Sequence, residues 1–566
     1  MTEYEKWLAY QLEDPSLTEE LKSIQDKPDE INDRFYQDLA FGTAGLRGVL
    51  GAGTNRMNIY TVHKATQGLS NYLNKHKAAG HVPTVAIGYD SRINSTLFSK
   101  ESAAVLAANG IKAYLYPQLM PTPALSFAVR YLHCDAGICV TASHNPAKYN
   151  GYKCYGSDGC QITAEMASDV QNEINSLDIF ADVKTMPFED GKKSGLIEMI
   201  GDAVVNAYLD AVENVSVRKP TGPLKVVYTP LNGAGKVCVT RILDRIGVSD
   251  VTIVPEQSEP DGNFPTCPFP NPEIREALQK GLELCEKVQP DLLLATDPDS
   301  DRVGIAVNQH GHYQLMTGNE VGVLLLNFIA AAKQEKGEMP KDPVAVTTIV
   351  STDMVDPVAQ HYGIEMRRVL TGFKYIGDQI ASLEAEGHPE RYLLGFEESY
   401  GYLSGGYVRD KDAVDGSMLI CEMAQYYKEK GMTLVDAMNE LYETYGYYVN
   451  GVVNQAFEGE AGMKQMTAIM DHLRKNPPAS IAGFTVVGHS DYLESVRVEK
   501  GETTPIDLPK SNVLEYRLEN GCKLIVRPSG TEPKIKIYLS GKGSTQAESE
   551  ALVDKMKAEV PALLGM

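Results

Sequence analysis

Three aspartates at every second position, Asp297, Asp299 and Asp301, stand in the run Asp297-Pro298-Asp299-Ser300-Asp301-Arg302, into which Leu292-Leu293-Leu294-Ala295-Thr296 leads. Hard divalent cations such as Mg²⁺ take oxygen ligands, and a tight loop with this spacing points three carboxylates at one ion. Without a cation the three would repel one another. An EF-hand calcium loop needs Gly at its sixth position and Glu at its twelfth, where this chain has Arg302 and Asn308. An acidic surface turn is the plain alternative. A second stretch, Thr141-Ala142-Ser143-His144-Asn145-Pro146, follows residues 136–140, which read as a buried strand ending at the polar edge where α/β sheets bind ligands. Ser143 is a candidate phosphate carrier. The competing reading is a strand-ending turn in which Ser143 and Asn145 satisfy backbone groups.

Two further loops carry polar groups. Gly395-Phe396-Glu397-Glu398-Ser399-Tyr400-Gly401 closes another strand, and its paired acids and hydroxyl suit bidentate hydrogen bonds to vicinal sugar hydroxyls. Downstream, Arg409-Asp410-Lys411-Asp412 offers a lysine for proton transfer if burial lowers its pKa, or a solvated charged loop. Arg527-Pro528-Ser529-Gly530-Thr531-Glu532-Pro533 combines an arginine fork, two hydroxyls and a glycine-loosened run of N–H groups, a nest for a phosphate. It is no P-loop, since G-x-x-x-x-G-K-[ST] is absent there.

The elements that must position these loops follow from periodicity. A helical arm, 4–12, places Trp7, Leu8 and Leu12 on one face. Then come strand 84–87, a helix 100–109 stopped by Gly110, strand 111–116, a helix with Thr122 as N-cap and Pro123 in its first turn, and the strand that delivers Ser143. The pattern restarts with strands 224–228, 251–254 and 291–295 and helices ending at 246 and spanning 273–288. It restarts again with helices 320–333, 354–362 and 374–386 and strands 344–350, 365–370 and 392–394. A helix 458–480, strands 514–518, 523–526 and 535–539, and a final helix 545–564 complete an α+β segment.

Length and composition bound the rest. At 566 residues the chain accommodates roughly three to five domains. A net charge of −22 argues against nucleic-acid and anionic-membrane partners, which require an extended basic surface. The nine cysteines lack C-x-x-C spacing and predict neither zinc nor disulfides, as in a reducing cytosol. The N-terminus shows no signal-peptide pattern, and the apolar window 321–332 is too short for a membrane span.

The four loops in this order, T-A-S-H-N-P at 141–146, D-P-D-S-D-R at 297–302, G-F-E-E-S at 395–399 and R-P-S-G-T-E-P at 527–533, resemble those of the α-D-phosphohexomutase superfamily. With F-G-T-A-G-L-R-G at 41–48 and R-D-K-D at 409–412, the chain is most similar to the phosphoglucomutase and phosphopentomutase branch. The resemblance implies a heart-shaped, four-domain enzyme: three consecutive α/β domains with mixed sheets and a C-terminal α+β domain. The expected limits are 1–205, 206–312, 313–445 and 446–566. It implies that Ser143 carries phosphate, with Mg²⁺ on Ser143, Asp297, Asp299 and Asp301. Arg47 would stand near the phosphoserine, and Lys153, Lys411 or His144 would handle the proton. Arg302, Thr371, Gly372, Lys374, Glu397, Ser399 and Arg409 would contact sugar or phosphate, and Arg527, Ser529, Gly530, Thr531 and Lys536 would clamp the distal phosphate. Phosphomannomutase-type members have a histidine where this chain has Gly401, which shifts the expectation toward Lys411.

The implied reaction is a cytoplasmic, Mg²⁺-dependent interconversion of glucose 1-phosphate and glucose 6-phosphate, primed by glucose 1,6-bisphosphate, in a monomer or homodimer that binds sugar phosphates. A pentose or mannose phosphate is the near alternative. Asp297-Pro298-Asp299 also resembles the D-x-D-x-T motif of aspartyl-nucleophile phosphatases, but Asp301 replaces the threonine. A non-enzymatic sugar-phosphate sensor would keep the clamp without needing Ser143 and the three aspartates together.

Overall fold

The computed structural model describes residues 2–42, 44–457, 459–529 and 534–566. The chain forms two compact units, one comprising 1–316, 380–385 and 400–430, the other 317–379, 386–399 and 431–566.

In the first unit, each of two sheets is built around a strand buried along its whole length, Ala136–Val140 in one and Leu292–Thr296 in the other, as strands covered on both faces are. Ala136–Val140 is buried along its whole length and pairs in parallel with Thr84–Tyr89, which pairs with Lys112–Leu115, itself followed by Ile197–Met199. On its other side Tyr149–Gly156 runs antiparallel, then Gly45–Val49. The sheet is therefore mixed. The second sheet places Leu292–Thr296 beside Lys225–Thr229 and Asp250–Ile253 in parallel, and closes with the antiparallel strands Val303–Gln309 and His312–Met316.

The N-terminal arm departs from a single helix. Asp14 caps a second helix with Pro15 at its start, and Pro28 opens a third, so the arm consists of Glu3–Ala9, Pro15–Ser23 and Pro28–Phe35. Trp7 anchors it, fully buried and edge-on to Phe35, Tyr60 and Phe180 at 5.9, 5.6 and 5.3 Å between ring centres. A second correction concerns Thr122. Pro121 occupies the N-cap position of the helix Thr122–Tyr131, and the Thr122 hydroxyl caps nothing. It donates instead to Asp299, as described below. The helix before it begins at Ser95, five residues earlier than its periodicity alone predicts, because Ser95 is buried against Asp90.

In the second unit, Glu365–Val369, Val344–Thr348 and Tyr392–Glu397 pair in parallel. The helix Gly318–Lys336 starts at a capping box, Thr317 with Glu320, and stops at Gly337 in the left-handed conformation. The C-terminal sheet runs antiparallel in the order Tyr447–Ala456, Lys534–Gly543, Lys523–Pro528, Leu514–Leu518, Phe484–Asp491, Val496–Glu499 and Glu502–Pro505, with the helix Gln546–Leu563 packed on it. No helix among the described residues is long and apolar enough to cross a membrane.

Candidate active site

Ser143 lies at the end of its strand with φ of +53°, a left-handed conformation that a non-glycine residue adopts at a cost of about 1–3 kcal/mol. Its N–H donates to Thr141 Oγ1 at 2.8 Å, and that hydroxyl donates to Asp90 Oδ2 at 2.6 Å. The Ser143 hydroxyl donates to Asp297 Oδ2 at 2.9 Å and sits 3.1 Å from Nδ1 of His144. Burial pushes the His144 imidazole well below its ordinary pKa, with Arg302 and Arg47 adding to the effect.

The three aspartates occupy the turn of the hairpin between Leu292–Thr296 and Val303–Gln309, where Val303 pairs with Thr296. Backbone N–H groups of Asp301 and Arg302 donate to Asp297 Oδ1 at 3.1 and 3.0 Å, fixing the turn. One oxygen from each carboxylate lies within 4.8 Å of the others. Asp299 Oδ1 and Asp301 Oδ1 are buried without a hydrogen-bond partner. Burial and the neighbouring carboxylates push Asp297 and Asp301 upward. Burial acts the same way on Asp299, but Lys153 outweighs it and holds Asp299 below the usual carboxylate range. Orphaned oxygens and mutually opposed charges converging on one point are what a hard cation resolves, so the residues present fit a divalent ion.

Two lysine side chains complete this side. Lys153, on Tyr149–Gly156, reaches Asp299 Oδ2 at 2.9 Å. Burial alone would lower it, but Asp299, Asp301 and Asp410 together raise it. Lys411 lies 3.2 Å from Asp301 Oδ2 and 3.1 Å from Asp410 Oδ1. Arg47 is exposed on Gly45–Val49, opposite Gly151. That strand can approach only because Gly45 has φ of +134°, and a Cβ there would lie 1.8 Å from the Tyr152 carbonyl oxygen. Arg302 pairs with Glu273 at 2.5 Å. Arg409 is buried, its guanidinium on Glu384 and the Gly406 carbonyl and its N–H donating to Ser126, so it fastens the loop.

Two contributors were missed by sequence reasoning. Thr122 donates its hydroxyl to Asp299 Oδ2 at 3.0 Å and its N–H to the Asp299 carbonyl at 2.8 Å. The loop Pro230-Leu231-Asn232-Gly233-Ala234-Gly235 braces the aspartate turn through the Ala234 N–H on the Pro298 carbonyl, and a Cβ on Gly235 would strike Thr296, Tyr228 and Ser300. The glycines of that loop were the available signal.

The second unit carries the other predicted residues. Glu397 Oε1 accepts the Gly372 N–H at 2.9 Å, tying Thr371-Gly372 to the end of the strand Tyr392–Glu397. Glu398 is committed to Thr348 and Ser351. Ser399 is half-buried beside them, and Lys374 lies 5.1 Å above the Tyr375 ring. Arg527 pairs in register with Lys536, and the Ser529 N–H donates to the Lys534 carbonyl. Arg527 and Ser529 line one side of a cavity of about 300 Å³. Tyr538 joins the two groups: burial and Glu398 raise its pKa, while Arg527 hydrogen-bonds it. Gly530 and Thr531 lie outside the described residues.

A serine hydroxyl set against a buried carboxylate cradle has the makings of a phosphoryl-transfer site, and the α/β scaffold around it is of the phosphohexomutase class. The four family models of phosphoglucomutase/phosphomannomutase, α/β/α domains I, II and III and the C-terminal domain, match residues 38–179, 206–311, 317–445 and 453–559. A phosphoglucomutase of Staphylococcus aureus strain bovine RF122 / ET3-1 is 39% identical over 518 residues, 90% of this chain and 91% of that protein. That of strain MRSA252 is 38% identical over 526 residues, covering 92% and 93%. Among solved structures, a phosphoglucomutase/phosphomannomutase family protein from Burkholderia thailandensis superposes with a TM-score of 0.67 at 18% identity, covering 93% of this chain and 98% of that one. Parafusin, a phosphoglucomutase from Paramecium, does so with a TM-score of 0.68 at 17% identity, covering 94% and 95%. The chain belongs to the phosphoglucomutase/phosphomannomutase family, and it is a mutase of the isomerase class.

Proposed function

We propose that this enzyme interconverts α-D-glucose 1-phosphate and glucose 6-phosphate, with Ser143 as the phosphate carrier and glucose 1,6-bisphosphate as both intermediate and activator. The observation that carries the reading is the Ser143 hydroxyl 2.9 Å from Asp297 inside the buried aspartate turn. Asp297, Asp299 and Asp301 would hold Mg²⁺ together with a Ser143 phosphate oxygen. When bound there, such an ion would neutralise a group bearing about −1.5 to −2 charges.

A hydroxyl oxygen of the bound sugar phosphate attacks the phosphorus on Ser143. The new P–O bond forms as the bond to Ser143 Oγ breaks, and Lys411, acting as the neutral amine, takes the hydroxyl proton and gives it back in the return transfer. The bisphosphate then turns round, and the return transfer restores phosphoserine. Lys153, held at Asp299, and Arg47 face the transferring oxygens, and neutral His144 stands beside Ser143 Oγ as a hydrogen-bonding partner. Glu397 and Ser399, with Thr371, Gly372 and Lys374, read the sugar. Arg527, Ser529 and Lys536, together with Gly530 and Thr531, take the non-reacting phosphate, and Arg302 orients the aspartate turn from its pair with Glu273. The domain limits 1–205, 206–312, 313–445 and 446–566 belong to the same reading. So does a cytoplasmic monomer or homodimer, consistent with nine free cysteines that are all buried.

Mass mapping of the enzyme after incubation with glucose 1,6-bisphosphate tests the carrier. Phosphate is expected on Ser143, and Ser143→Ala should lose turnover while binding glucose 6-phosphate. Phosphate on Asp297, or mutase turnover by Ser143→Ala, would refute it. Side-by-side kcat/KM values for glucose, mannose and ribose 1-phosphates test the sugar.

A further inference from the structure

Arg92 stands outside every motif described above, yet it is wholly buried beneath the loop that carries Ser143. Its Nη1 donates to the carbonyls of Pro146 at 3.0 Å and Tyr149 at 2.9 Å, and its Nη2 to those of Ser143 at 2.6 Å and Asn145. Its own N–H donates to Asp90 Oδ1 at 2.9 Å, and the Asp90 carboxylate also accepts from Ser95 and from Thr141, the residue whose hydroxyl receives the Ser143 N–H. The ring of Phe264 covers the guanidinium with its centre 5.1 Å away.

A left-handed backbone at a serine persists only where its surroundings over-determine it. Here the N–H side of Ser143 is held through Thr141 and Asp90, and the carbonyl side through Arg92. The planar guanidinium, with five donors in a fixed fork, is the side chain able to bridge several carbonyls at once; an ammonium is a point donor.

We propose that Arg92 is the positioning residue of the phosphate carrier: by capping the carbonyls of Ser143, Asn145, Pro146 and Tyr149 it locks the Ser143 backbone in the conformation that aims Oγ at Asp297. The proposal rests on the reading of Ser143 as carrier. Its content is that the Arg92 fork, and not its charge, sets the transfer rate, because misplacing a reacting atom by about 1 Å costs on the order of a hundredfold.

The test uses the full-length, Mg²⁺-loaded enzyme phosphorylated with glucose 1,6-bisphosphate, and measures single-turnover transfer to glucose 1-phosphate by rapid quench. Arg92→Lys and Arg92→Ala should both slow transfer by about a hundredfold, with the KM for glucose 1-phosphate within about threefold of wild type. Guanidinium ion should restore part of the rate in Arg92→Ala and none in Arg92→Lys. Amide exchange over residues 141–150 should accelerate in Arg92→Lys, while strand Lys225–Thr229 keeps its protection. A wild-type transfer rate in Arg92→Lys overturns the proposal, as does a loss confined to KM. Failure of both variants to fold also overturns it, since Arg92 would then be a pin of the whole domain. Absence of phosphate on wild-type Ser143 defeats the carrier reading itself; phosphate there with an unimpaired Arg92→Lys defeats this proposal alone.

Discussion

A Cβ at Gly401 would lie 2.1 Å from Cδ and 2.6 Å from Cγ of Lys411, so the two positions share one volume. The lysine can reach Asp301 only because residue 401 has no side chain. This accounts for the pairing of a glycine there with R-D-K-D downstream, where the resemblance led to an expected histidine at 401 in other members. Gly401→Ala should therefore displace Lys411 and lower kcat by about ten- to a hundredfold, with little effect on the cavity at Arg527 and Ser529. Steady-state kinetics beside Lys411→Met measure this, and wild-type kcat in Gly401→Ala would remove Lys411 from the chemistry. The strands leading to Ser143 and to the three aspartates were legible from sequence, because each is a short apolar run followed by a polar loop, and both are buried along their whole length. The burial of Arg409 was not legible, because a charged residue in a charged loop gives no sign that Glu384, 25 positions earlier in the chain, will pair with it there.

At the level of elements, strands were legible and their borders less so, since a strand's apolar run continues into buried loops that make other bonds. Thr122 shows why some of the site was hidden. A threonine before proline at a helix start carries the signature of an N-cap, and only the packing of the helix Thr122–Tyr131 against the aspartate turn diverts its hydroxyl to Asp299. With Lys153 on the same oxygen, Thr122 orients a carboxylate that a cation would use. Groups that orient metal ligands are worth about 10–100-fold in metal affinity. EDTA should accordingly abolish activity and Mg²⁺ restore it in the wild type, whereas Thr122→Val should need about 10–100-fold more Mg²⁺ for half-recovery and Thr122→Ser close to the wild-type amount. Activity that persists in chelator would refute the metal assignment; identical Mg²⁺ titrations for Thr122→Val and wild type would refute the role of the hydroxyl.

Over the whole molecule, chain order and compact units part company. Residues 400–430 follow the Glu397 loop in sequence but fold with the first unit, held there by Arg409 on Glu384, by Glu422 receiving the N–H groups of Val217 and Arg218 at 3.0 Å each, and by Lys428 on Asp291 at 2.8 Å. That excursion is what brings Lys411 to the aspartates, and no local pattern in the sequence announces it. In the second unit the remaining third-domain strands join the C-terminal domain through a shared cluster, Ile349, Val350 and Leu370 with Tyr492, Val513 and Ile525. Beside it Asp353 accepts from Lys523 at 2.7 Å and pairs with Arg368 at 3.0 Å. Burial would raise the Asp353 pKa, but Lys523 and Arg368 outweigh it and hold it below the ordinary value. A carboxylate whose folded pKa is depressed contributes stability that is fully present above its unfolded pKa, near 3.9, and is lost as pH falls through the folded value. Asp353→Asn should thus destabilise the second unit by about 1.5–3 kcal/mol at pH 7, the range for hydrogen bonds to charged groups. The gap from wild type should stay level down to about pH 4 and close below it. Urea unfolding followed by amide exchange in Val344–Thr348 and Lys523–Pro528 reads both segments at once, and they should lose protection together. A gap that widens as pH falls, or destabilisation confined to one of the two strands, would show that Asp353 does not join the domains through its charge.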